Sequence, residues 1–76
     1  MKEIVSILNE IRPEFDFTSS SDFIADGMLD SFDVVTLVAA LDEKYGISID
    51  GMDIVPENFQ SVKAIAALLK KNGAQL

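Results

Sequence analysis

The 76-residue sequence contains no cysteine, no histidine and no tryptophan, and only two prolines and four glycines. Each absence removes a class of chemistry. Without cysteine there is no disulfide, no thiol nucleophile and no zinc thiolate site, so packing alone must hold the fold, as suits a reducing compartment. Without histidine no imidazole base can activate a serine, and neither a Ser-His-Asp triad nor a histidine metal site can form. The glycines are scattered, and no Gly-x-Gly-x-x-Gly or Gly-x-x-x-x-Gly-Lys run exists to cradle a nucleotide phosphate. Long apolar runs are missing as well. Val34 to Leu41, broken by Thr36, and Ala64 to Leu69 fall far short of the roughly 20 residues a bilayer crossing needs. The start of the chain, Met1-Lys2-Glu3-Ile4, lacks the continuous apolar segment of a secretory signal. A soluble, cytoplasmic protein without membrane insertion is expected.

Basic residues are scarce: six against thirteen acids, for a net charge of −7. None occurs between Arg12 and Lys44, a stretch that holds Glu14, Asp16, Asp22, Asp26, Asp30, Asp33, Asp42 and Glu43. Nucleic acid is disfavoured as a partner, because phosphate binding draws on clustered Lys and Arg. Basic protein surfaces are favoured, since a local negative patch steers them. Residues 1–76 suffice for a single domain, and an apolar content of 49% is enough for a core despite the small size.

Helical periodicity dominates what is present. Ile4, Leu8 and Ile11, widened by Val5 and Ile7, predict a first helix of about three turns that Pro13 must end. A long loop follows from Phe15 to Asp26; its Thr18-Ser19-Ser20-Ser21 run reads as weakly structured, and Phe15, Phe17, Phe23 and Ile24 as anchors in the core. Val34, Leu37, Val38, Leu41 and Tyr45 line one face of a second helix from about Ser31 to Tyr45, closed by Gly46. Ile47-Ser48-Ile49 reads as an extended connection, and a short helical turn is expected between Gly51 and Val55 or from Pro56 to Phe59. Ser61 caps a last helix carrying Val62, Ile65, Ala66, Leu68 and Leu69, with Lys70 and Lys71 in its final turn and Gly73 ending it. The expectation is an all-α, monomeric four-helix bundle with one short helix and a long loop between the first and second helices.

The candidate site is the start of the second helix. Asp30 is a favourable N-cap, Asp33 falls in the first turn where the dipole favours an anion, and Ser31 becomes the first helical residue with its oxygen directed to solvent. A serine before an apolar periodic run often caps the helix itself, so that role for Ser31 is the competing one. Asp30 and Asp33 complement the helix dipole better than they form a catalytic acid–base pair, because nothing encloses or dries them. No catalytic residues are assigned, and the protein is expected not to be an enzyme.

From Gly27 to Leu41 the sequence reads Gly27-Met28-Leu29-Asp30-Ser31-Phe32-Asp33-Val34-Val35-Thr36-Leu37-Val38-Ala39-Ala40-Leu41. It resembles the acyl carrier protein family, whose signature is an Asp-Ser-Leu-type tripeptide followed by a helix reading Asp-x-Val-x-Leu-Val-x-x-Leu. The order of elements from Tyr45-Gly46 to Leu69 is also similar. Phe32 stands in place of the usual leucine, and Thr36 and Lys44 stand where fatty-acid-synthesis members usually carry acids. The Leu29-Asp30-Ser31-Phe32 wording is closer to D-alanyl and small dedicated carriers than to the housekeeping fatty acid carrier. The resemblance implies that Ser31 accepts 4′-phosphopantetheine from coenzyme A and that the arm's thiol holds an acyl or aminoacyl cargo as a thioester. It implies as partners a phosphopantetheinyl transferase, an acyl- or amino-acid-activating ligase, and a downstream transferase or synthase of fatty acid, polyketide or nonribosomal peptide synthesis. Asp30, Asp33, Asp42 and Glu43 are the candidates for charge steering at docking, with Phe32 and Val35 as apolar contacts.

Two other readings account for part of the pattern. Asp22, Asp26, Gly27, Asp30 and Asp33 fall at positions one, five, six, nine and twelve of an EF-hand calcium loop, but Ile24 occupies position three and no incoming helix precedes it. No metal site is therefore assigned. An acidic helical interaction domain without cofactor explains the charge and the helices equally well, yet leaves the serine between two acids unexplained.

Overall fold

Ile4, Ile7 and Leu8 are the buried residues of α1 (Lys2–Ile11) in the computed structural model, which describes residues 2–75. The helix stops at Ile11, directly before Arg12-Pro13, as the backbone restriction ahead of proline requires. In α2 (Ser31–Tyr45) Leu37 and Leu41 are fully buried, and Val34, Val38 and Tyr45 pack partly buried against the same core. Gly46 takes the left-handed conformation at φ 63° and donates its N–H to Asp42 O, closing the helix end. In α3 (Val62–Lys71) Ser61 Oγ accepts the Ala64 N–H as N-cap, and Ile65, Ala66, Leu68 and Leu69 face inward. α1 packs on both α2 and α3, so all three helices share one cluster of buried side chains.

The expected short helical turn is present, but as 3-10 helix rather than as a fourth α-helix. Two short 3-10 turns, Gly51–Asp53 and Pro56–Phe59, lie between α2 and α3, so the fold is all-helical, with three α-helices among the described residues. Pro56 keeps the two turns separate, since it holds the preceding Val55 at an extended backbone (φ −129°, ψ 152°). Ile47-Ser48-Ile49 connects α2 to the first 3-10 turn outside any helix, and no strand occurs among the described residues. None of the described helices is long and apolar enough to cross a membrane.

The loop from residue 12 to 30 is better ordered than its serine run suggests. Asp16 Oδ1 accepts from Thr18 N at 3.0 Å and from Thr18 Oγ1, Ser19 Oγ donates to Asp16 O at 2.8 Å, and Ser20 Oγ donates to the Asp26 carboxylate. Short polar side chains that bond their own backbone build such turns. The anchors fall where the sequence put them. Phe17 and Phe23 are fully buried with ring centroids 5.0 Å apart, edge to face, and Phe15 and Ile24 are partly buried against the same cluster. Phe23 N–H donates to Gln60 O at 2.7 Å, tying the loop to the end of the second 3-10 turn.

Candidate functional site

The approach to Ser31 is fixed from both sides. Gly27, at φ 71°, turns the chain, and Phe23 O then accepts the N–H groups of Met28 at 2.9 Å and Leu29 at 3.4 Å. Met28 and Leu29 are themselves buried, so the residues just before the helix are pinned by apolar burial as well as by hydrogen bonds. Asp30 follows as the N-cap. Its Oδ1 accepts Asp33 N at 2.9 Å while Asp33 Oδ2 accepts Asp30 N at 3.1 Å, a reciprocal capping box built from two aspartates. The cap is therefore Asp30, and Ser31 is the first residue of α2, exposed, with no hydrogen bond from its hydroxyl to any described residue.

Arg12 closes this arrangement from across the loop. Its Nε donates to Asp33 Oδ2 at 2.8 Å, Nη2 to Asp30 Oδ2 at 3.3 Å and Nη1 to Glu14 Oε2 at 3.2 Å. The Asp33 N–H, reinforced by the Arg12 charge, holds the Asp30 carboxyl below its ordinary value, and the bond to Asp33 raises the Arg12 guanidinium further. Sequence reasoning marked Arg12 only as the edge of the base-free stretch and passed over Met28 and Leu29. The signal available was position: the last base before eight acids, and two apolar residues directly ahead of a cap.

Beside Ser31 lies an apolar cleft of about 330 Å³, walled by Ile24, Leu29, Val34, Ile54, Val55 and Pro56 with the serine on its rim. A larger hollow of about 570 Å³ lies between α1 and α2, but Glu3, Glu10, Glu43 and Lys44 line it and it does not include Ser31. The expected docking residues divide in two. Phe32 and Val35 stand 83% and 66% exposed, and Glu43 and Asp30 are also exposed. Asp33 and Asp42 are half-buried and engaged, Asp33 with Arg12 and Asp42 through Oδ1 with the Ile49 N–H at 3.0 Å.

The carboxylates of the EF-hand reading do not converge. Asp22 Oδ1 accepts the Ile24 and Ala25 N–H groups, Asp26 takes the Ser20 hydroxyl, and Asp30 and Asp33 cap the helix. No group of three or more such residues suited to a metal ion occurs among the described residues.

The hydrogen-bonded carboxylates make a prediction for pH. Asp30, Glu14, Asp16 and Asp53 all titrate below their ordinary values, held there chiefly by hydrogen bonds to the charged form. A carboxyl whose folded pKa is depressed contributes stability above its unfolded pKa of about 4 and loses it as pH falls through the folded value. The melting temperature, followed by circular dichroism, is expected to fall as pH drops below about 4. A flat or rising melting temperature between pH 5 and pH 2 would contradict the assignment of these bonds.

The sequence has clear relatives. The family model for a phosphopantetheine attachment site matches residues 2–69. Over 64 residues the chain is 42% identical to an acyl carrier protein of Helicobacter hepaticus, an alignment that spans 84% of this chain and 74% of that protein. No solved structure matches significantly. An exposed, unbonded serine at a helix start beside an apolar cleft suits a covalently attached arm. With a family match over nearly its whole length and a relative of that identity, the chain belongs to the acyl carrier protein family, whose members bear 4′-phosphopantetheine and shuttle cargo on it.

Proposed function

We propose that Ser31 is the residue that carries the arm. The observation that supports this most directly is the serine itself: Asp30 performs the capping, leaving Ser31 exposed and its hydroxyl without a hydrogen bond to any described residue. When attached, the phosphopantetheine group supplies a terminal thiol on a flexible arm, and that thiol takes up the cargo. The chain contributes a rigid mount, because a cargo tethered to a fixed point is delivered at high local concentration to any enzyme that docks the carrier. Its own residues supply no acid–base or nucleophilic machinery, and the chemistry is that of the partners.

Those partners are a phosphopantetheinyl transferase and biosynthetic enzymes; an activating ligase and a downstream transferase or synthase are the classes proposed for this chain. Phe32 and Val35 give docking its apolar contacts, and Asp30 and Glu43 give it accessible charge, with Asp33 and Asp42 adding to the field while their carboxylates hold structure. Exposed charges of this kind raise association rate more than affinity, which suits a carrier that must be released.

The test is intact-mass measurement after incubation with coenzyme A, magnesium and a broad-specificity transferase. The protein is expected to gain one phosphopantetheine, and fragmentation to find it on Ser31. A label on Ser19, Ser20, Ser21 or Ser61 would overturn the assignment.

A further inference from the structure

We infer that Arg12 is a positioning residue for the modification of Ser31, a reading that rests on Ser31 as the attachment residue. Three observations carry it. The guanidinium bonds both members of the capping box, Asp33 Oδ2 at 2.8 Å and Asp30 Oδ2 at 3.3 Å, and Ser31 sits between them in the chain. Arg12 lies just past the end of α1, so it ties that end to the start of α2 across the loop between them. The Asp33 side chain is only 13% exposed, so its charge is poorly met by water and needs a partner.

Without Arg12 two facing carboxylates share one helical turn, and their repulsion opposes the reciprocal cap that holds the Ser31 backbone. In the transfer the Ser31 oxygen bonds to the β-phosphorus of coenzyme A. The bond from that phosphorus to the anhydride oxygen breaks, and the adenosine bisphosphate half leaves with the electron pair. The hydroxyl proton passes to a base of the transferase or to water. In-line attack of this kind depends on where the oxygen stands, and a loosened first turn spreads its position. Lysine is a poor substitute, because a point charge cannot span two carboxylates as a planar guanidinium does.

The test compares Arg12→Gln, Arg12→Lys and Glu14→Gln as substrates of the transferase, with folding checked by circular dichroism and first-turn amides followed by hydrogen exchange. Arg12→Gln is expected to lower kcat by about threefold to tenfold with KM for the carrier little changed, and to speed exchange at the Asp33 amide. Arg12→Lys should fall between it and the parent, and Glu14→Gln, whose carboxylate touches only the outer guanidinium nitrogen, should match the parent. Adding Asp33→Asn to Arg12→Gln removes the carboxylate clash and should recover most of kcat, while KM reports separately the docking charge lost with Asp33. A change confined to KM would make Arg12 part of the docking surface, and an altered melting temperature with unchanged kcat and exchange would make it structural; either overturns the inference. If the parent protein is labelled elsewhere or not at all, the failure is that of Ser31, not of Arg12.

Discussion

Ser31→Ala is expected to gain no mass under conditions that convert the parent protein completely, and to keep its fold. The first effect is all or none, because alanine has no oxygen to bond phosphorus. The second separates the two roles open to this serine. Losing a true N-cap costs about 1 kcal/mol, which in a domain of this size lowers the melting temperature by about 4–8 °C. An exposed first-turn hydroxyl with no partner contributes within about 0.5 kcal/mol, so the variant should melt within about 4 °C of the parent. Asp30→Ala is the internal comparison. It removes the acceptor of the Asp33 N–H and one carboxylate of the Arg12 cluster, and should show the larger drop. Mass gain on Ser31→Ala would end the attachment proposal, and a drop as large as that of Asp30→Ala would return the capping role to the serine.

Much of this site is legible in the sequence. Asp30 as cap, Ser31 as first helical residue and Gly46 as terminator follow from side chains that act on neighbours within one turn, and the structure bears them out. Phe17 and Phe23 were readable as anchors because large aromatics in a polar loop have few other stable places. The short helical turn between the second and last helices was legible as either Gly51–Val55 or Pro56–Phe59, and both form as 3-10 turns, because Pro56 holds Val55 extended between them. Asp42 was read as free surface charge because its bond to the Ile49 N–H spans seven residues and follows the direction the chain takes after Gly46. Arg12 was illegible for the same reason on a larger scale. Its partners Asp30 and Asp33 lie 18 and 21 residues away, and only the folded loop brings them together. The local chemistry of the serine was thus open to reading, and the tertiary contacts that hold it were not.

The largest loss of stability is expected from Phe23→Ala. Its ring is fully buried and stacks edge to face on Phe17, whose own ring meets Phe15 at 6.3 Å, so one side chain holds the middle of the loop to the core. Truncating a buried phenylalanine costs about 3–5 kcal/mol, against a total of about 4–11 kcal/mol for a chain of this length. Urea denaturation should move to a midpoint lower by at least about a quarter, or the variant should be unfolded outright. The damage reaches the site, because Phe23 O accepts the Met28 and Leu29 N–H groups that lead into the Asp30 cap. A folded but weakened variant should therefore lose protection of first-turn amides before it loses α1. Phe32→Ala is the control of equal chemistry and opposite placement: 83% exposed, it should change stability by no more than about 0.5 kcal/mol. If Phe23→Ala costs less than about 1 kcal/mol, the loop is not held by this ring, and the rigid mount for Ser31 must come from the Arg12 cluster and the cap alone.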